Sequence, residues 1–256
     1  MDKHLVAAQS VTSPRSRFRH MQAAAVLLLA VSAGFLPTAP SYGDSVGLSI
    51  HDNFESGNLA AWEMPFPEDW EVLKEGSLPY LHMKRSRPPV EPRHPVQFAL
   101  LKGVNAGNFD LKVKVRRAGG SMIVVFDYVD PLHFYYVHLS ENSGTQIAVH
   151  NGIFIVDGAA RRRIAGMEAS AALPDQSWHD VRIVRDASSG SIQVLLEKES
   201  SPRFSAIDRT FPRGKIGLGS FDESGDFARF QLDSEDAPRI GARGDAWQEL
   251  PTHSIR

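Results

Sequence analysis

Residues 122–139 read MIVVFDYVDPLHFYYVHL. Two runs of β-branched and aromatic residues flank the turn pair Asp130-Pro131, which is the composition of an antiparallel hairpin. Successive side chains on a strand point to opposite faces. In Phe134–Ser140 that parity sets Tyr135, Val137 and Leu139 on one apolar face and Phe134, Tyr136, His138 and Ser140 on the other. In the preceding run Met122, Val124, Phe126 and Tyr128 form one set, and Ile123, Val125 and Asp127 the second. The pattern recurs at Phe109–Arg116, Gln146–His150, Ile153–Asp157, His179–Arg185, Ile192–Glu197, Lys215–Ser220 and Phe227–Leu232. Turn chemistry separates these runs, at Ala118-Gly119-Gly120, Asn151-Gly152, Asp157-Gly158 and Ser188-Ser189-Gly190. Asn151-Gly152 between two apolar runs is a strong short hairpin signal. Only Gly166–Leu173 reads as helical. Many short strands without helical crossovers predict an all-β antiparallel sandwich or barrel.

Outside that region the chain changes character. Lys3, Arg15, Arg17 and Arg19 precede an uncharged apolar run, Met21–Leu36, and then Pro37, Pro40, Ser41 and Gly43. This order is that of a secretory leader, so 1–43 reads as a signal peptide or an uncleaved N-terminal anchor, and the folded part as exported, periplasmic or extracellular. The leader holds 4 of the 28 Lys and Arg and 1 of the 30 Asp and Glu, leaving 24 basic residues against 29 acidic. A net acidic domain argues against nucleic-acid binding. Cysteine is absent, which excludes disulfides, thiolate metal sites and cysteine nucleophiles. After Leu232 the chain turns polar, and 233–256 reads as a mobile tail.

Several phrases occur in a telling order. Asp52-Asn53-Phe54-Glu55-Ser56-Gly57-Asn58-Leu59 with Trp62 is similar to the opening strand and turn of concanavalin A-like jelly rolls. Phe126–Tyr136 resembles their central hairpin. Ser177-Trp178-His179-Asp180-Val181 resembles the strand that begins with a buried Trp, and Gly214–Phe221 with Phe227–Phe230 the closing strands. The resemblance spans Leu48 to Leu232. It implies a two-sheet antiparallel jelly-roll domain over 44–232, with Trp62 and Trp178 buried. Within that superfamily the chain looks most like the bacterial 3-keto-disaccharide hydrolase type of domain, which implies a glycan or small glycoside on the concave sheet. Family 16 glucanases carry Glu-x-Asp-x-Glu, which supplies their two carboxylates. This chain has no such triplet; Glu197-Lys198-Glu199 is the nearest spacing.

Candidate site residues follow from strand parity. If Phe134–Ser140 pairs with Gln146–His150, then Tyr136, His138 and His150 share one face, with Asp127 beside them. A flat phenol suits a pyranose, Phe134 extends the platform, and an Asp–His pair suits acid–base chemistry near neutral pH, so Asp127, His138 and His150 are the catalytic candidates. The stiff Pro-rich segment Ser86–Pro95 and its flank add Arg85, Arg87, Arg93 and His94 as a ligand-binding wall. Arg161-Arg162-Arg163 reads as a solvated charge run. Asp52 and Glu55 near the first strand, and Asp222, Glu223 and Asp226 near the last, are hard oxygen ligands that would suit a structural calcium ion if those strands are neighbours; ordinary acidic turns are the alternative. Three functions stay open: an exported carbohydrate-active hydrolase, a non-catalytic glycan-binding module, and a cell-envelope interaction module.

Overall fold

In the computed structural model, residues 47–142, 150–166, 170–236 and 253–255 are described. Through them run strands β1 (Leu48–Asp52), β2 (Trp62–Glu63), β3 (Trp70–Glu75), β4 (Leu78–Met83), β5 (Gln97–Leu101), β6 (Phe109–Arg117), β7 (Ser121–Asp130) and β8 (His133–Ser140). They continue with β9 (Gly152–Asp157), β10 (Arg162–Ala165), β11 (His179–Asp186), β12 (Ser191–Leu196), β13 (Phe204–Ile207), β14 (Lys215–Ser220), β15 (Gly225–Ser234) and β16 (His253–Ile255). One sheet has the order β13-β12-β11-β6-β15-β1-β16, with β4 also on β15 and β3 on β4; the other has the order β10-β9-β8-β7-β14-β5-β2. Every pairing is antiparallel except the parallel contact of β16 with β1. The expected two-sheet antiparallel jelly-roll sandwich is therefore the observed fold. No helix among the described residues is long and apolar enough to cross a membrane.

Alternation builds the core. Leu111, Val113 and Val115 of β6, with Val181 and Ile183 of β11, meet Met122, Val124 and Phe126 of β7 and Tyr135, Val137 and Leu139 of β8 between the sheets. Each such side chain contributes about 1.5–3 kcal/mol on burial. The seven-stranded sheet is apolar on its outer face too. Phe98, Leu100, Ile123, Val125, Phe134, Tyr136, Phe154, Val156 and Phe221 form a second buried cluster there.

Five expectations need correction. β8 pairs with β9, with Val137 opposite Ile153 and His138 opposite Gly152, so its partner is the strand after Asn151. Residues 146–149 lie outside the described residues, and His150 precedes β9. Asn151 turns no hairpin; its buried amide accepts from the Ser140 N–H at 2.9 Å and donates to the Asn142 carbonyl at 2.8 Å. Gly152, at φ 128°, lies so close to β10 that a Cβ would meet the Ala165 carbonyl oxygen at 2.0 Å. The described ends of the expected helix, Gly166 and Ser170–Leu173, are not helical. Trp62 is buried, but Trp178, just before β11, stays half-exposed. Of the expected tail, Asp233 and Ser234 complete β15, and His253–Ile255 pairs with β1.

Candidate functional site

The parity expected for β8 is observed. Tyr135 lies between the sheets, and Tyr136 with Phe134 belongs to the outer cluster of the seven-stranded sheet. The face is not an open platform, however. Phe134, Tyr136 and His138 are all buried, because residues arriving from three loops cover them. Phe221, following β14, stacks on His138 with ring centroids 5.6 Å apart, and Phe154 of β9 stacks on Tyr136 at 5.2 Å. Arg161 lays its guanidinium over Phe221 at 4.0 Å and over Phe154 at 4.8 Å. It also donates to the Tyr136 hydroxyl and to His138 Nδ1, each at 3.0 Å. Arg93 comes over Phe221 at 4.9 Å from the Pro-rich segment, and its carbonyl accepts the Arg161 N–H at 2.9 Å.

These contacts define the protonation chemistry. A guanidinium can only donate, so His138 Nδ1 accepts and the ring proton sits on Nε2. That nitrogen is buried and has no hydrogen-bond partner among the described residues. Burial, reinforced by Arg161, His150 and Arg93, holds His138 well below the ordinary histidine range. His150 lies alongside, ring centroids 5.7 Å apart, with Nδ1 donating to Asn142 Oδ1 at 2.6 Å. Burial and then Arg161 push its pKa down, against an opposing pull from Asp222. Burial raises the Tyr136 phenol, so it stays protonated.

Asp127 is the largest departure. Register shifts between Phe126 and Asp130, and Asp127 takes φ 46°, the signature of a bulge in β7. The extra residue turns Asp127 inward, where its Oδ2 accepts from Arg185 Nε at 2.9 Å with both side chains fully buried. It also returns Tyr128 to the outer cluster beside Phe98 and Phe134, the face opposite to its expected set. Asp127 is thus separated from the histidines by the sheet itself.

The Pro-rich wall divides. Arg87 is bound to Asp69 at 2.6 Å and Glu68 at 2.9 Å, and Arg85 stands exposed 3.9 Å from Asp69, so neither covers the outer face. His94 does reach it, buried with its ring 6.4 Å from Phe134 and Nδ1 against the Pro92 carbonyl. Arg93 is the strongest member. Arg161 was expected to be solvated; its signal was the parity of β9, which puts Phe154 beneath a cation.

The proposed metal ligands do not converge. β1 and β15 are neighbours, but Asp52 lies opposite Phe230, and both its oxygens are taken, by the Phe54 N–H and by Trp62 Nε1 at 2.8 Å each. Asp226 is held by His82 and Arg116, and Glu55 is exposed. Among the described residues no three His, Asp or Glu side chains gather to hold an ion.

No protein-family model matches the chain, and no curated protein matches it. Solved structures do. The carbohydrate-binding module CBM66 from Bacillus subtilis is 15% identical, with 69% of this chain and 98% of that chain covered, at TM-score 0.48. Winged bean acidic lectin, solved with methyl-α-D-galactose, is 10% identical over 75% of this chain and 99% of its own, at 0.48. Peanut lectin is 11% identical over 75% of this chain and 98% of its own, also at 0.48. At these values the likeness is one of architecture, and no ligand is carried over from it.

Proposed function

We propose that this is an exported glycan-binding domain that holds saccharides bearing acidic groups without cleaving them. The observation that carries the reading is the exposed Arg93 guanidinium over the Phe221 ring, beside that of Arg161. Two cations on one ring favour an anionic oxygen, as in a uronic acid. Hydrolysis is supported less well. Asp127 faces the interior, no carboxylate hydrogen-bonds either histidine among the described residues, and a strongly lowered pKa makes His138 a weak base. Export is supported by the leader.

Calorimetric titration with tri- and hexagalacturonate tests the reading. Binding is expected, Arg93→Ala should weaken it about tenfold, in line with loss of a charged hydrogen bond, and no reducing ends should be released. Equal affinity of Arg93→Ala, or accumulation of shorter products, would overturn it.

A further inference from the structure

The outer face of the nine-stranded sheet carries a second group of side chains that the first site does not use. His82 lies opposite Asp226, and Asp226 opposite Arg116. Trp178 comes next in the row, because its neighbour His179 pairs with Val115. Three strands, β4, β15 and β6, and the residue before β11 thus form a single line across the sheet, about 14 Å long at ~4.8 Å per strand spacing. Tyr80, two residues before His82, stands on the same face, with its ring 5.6 Å from Trp178 and 6.4 Å from His82.

The row is preorganised. The Arg116 guanidinium sits 4.4 Å over the Trp178 ring and 5.1 Å from Tyr80. Its Nε donates to Asp226 Oδ2 at 2.7 Å and its NH1 to Glu75 Oε2 at 2.6 Å. His82 Nδ1 meets the other Asp226 oxygen at 2.6 Å. Asp226 is nearly covered, whereas His82 and Arg116 retain 27% and 20% of their side-chain surface and Glu75 retains 59%. The indole and phenol are half-exposed. Aromatic surface at a wet face, flanked by fixed donors and acceptors, is the chemistry that recognises a sugar ring: apolar C–H faces on the rings, hydroxyls on the rim.

We propose that this row is a second saccharide site, built for a neutral oligosaccharide chain lying across the strands. Charge decides the ligand class. Arg116 is matched within the row by Asp226 and Glu75, so no excess positive charge remains for an acidic sugar. Length decides that the ligand is a chain, since the row from His82 to Trp178 is longer than one ring.

The test uses the full chain and neutral hexasaccharides of β-1,4-glucose, β-1,3-glucose, β-1,4-mannose and β-1,4-xylose. At least one should bind by calorimetry and shift tryptophan emission. Trp178→Ala should weaken that binding at least tenfold, Trp178→Phe by a smaller factor, and Arg93→Ala not at all. Circular dichroism and melting of each variant establish that it is folded, and Trp178→Phe retains an aromatic ring against Arg116 if the alanine variant is not. Absence of binding by all four hexasaccharides, or full affinity in a folded Trp178→Ala, would overturn the proposal. Binding of galacturonate that is weakened in Arg93→Ala and unchanged in Trp178→Ala reports on the first site alone, so the two proposals fail separately.

Discussion

Asp127 and Arg185 meet 2.9 Å apart between the two sheets, and neither side chain has any exposed surface. The pair is part of a larger arrangement: Arg185 also donates to the carbonyls of Asp208 at 3.1 Å and Phe211 at 3.0 Å, so a single guanidinium ties β7 to the loop before β14. Asp127 Oδ1 has no hydrogen-bond partner among the described residues. Desolvation outweighs the attraction of Arg185, and the carboxyl is pushed up to about 7.

The sign of the resulting pH dependence is fixed. Between about pH 4 and 7 the native state keeps a proton that the unfolded chain has lost, so Asp127's contribution to stability is full below 3.8 and falls as pH rises through 7. Asn stands in for the protonated acid. The margin by which the wild type exceeds Asp127→Asn in urea unfolding should therefore narrow from pH 5 to pH 8, by an amount on the order of 1–3 kcal/mol. A margin that stays constant over that range would show that the ion pair holds the carboxyl at or below its ordinary value.

Tyr136 faces away from the sheet interface yet is fully buried beneath Phe154, Phe221 and Arg161. Tyr136→Ala is expected to cost about 3–5 kcal/mol of unfolding free energy, as for other buried aromatics. Tyr136→Phe removes only the acceptor for Arg161 and should cost about 0.5–1.5 kcal/mol. Equilibrium urea unfolding reads both; an alanine variant as stable as wild type would place Tyr136 on an open surface.

Strand parity made much of this legible. β-branched and aromatic alternation located β6 to β9, β11, β12, β14 and β15, and it separated Tyr135 from Tyr136. It failed at Asp127, because one inserted residue reverses the faces and a bulge leaves no mark in composition. It failed for the partner of β8, because Asn151 closes the end of β8 by side-chain hydrogen bonds. The row His82–Asp226–Arg116–Trp178 was out of reach for another reason. Its members are up to 144 residues apart, and only strand order brings them side by side. Arg161 looked like one of three solvated cations; the rings it covers belong to other strands.

Asp52 was a candidate calcium ligand, and its two oxygens are instead used internally. Adding calcium or a chelator should leave the melting temperature unchanged. Trp62→Phe keeps the ring but removes the Nε1–H that caps this buried carboxylate, whose pKa burial already raises. A loss of about 1–3 kcal/mol is expected. A calcium-dependent rise in melting temperature would restore the metal reading.

His138 supplies the opposite pH signature to Asp127. Burial first, and Arg161 second, hold it well below 6.5, so the native ring stays neutral while the unfolded ring protonates as pH falls. Its contribution to stability is present above 6.5 and is lost as pH drops below it. The unfolded chain sets the ceiling: about 1.4 kcal/mol per pH unit below 6.5, hence about 2 kcal/mol at pH 5. His138→Gln preserves an acceptor for Arg161 and cannot titrate. Urea midpoints at pH 7.5 and pH 5 should move further apart for the wild type than for this variant, while His150, lowered in both proteins, contributes equally and cancels. Identical shifts in the two proteins would mean that His138 takes up its proton in the folded state, with Arg161 displaced from Nδ1.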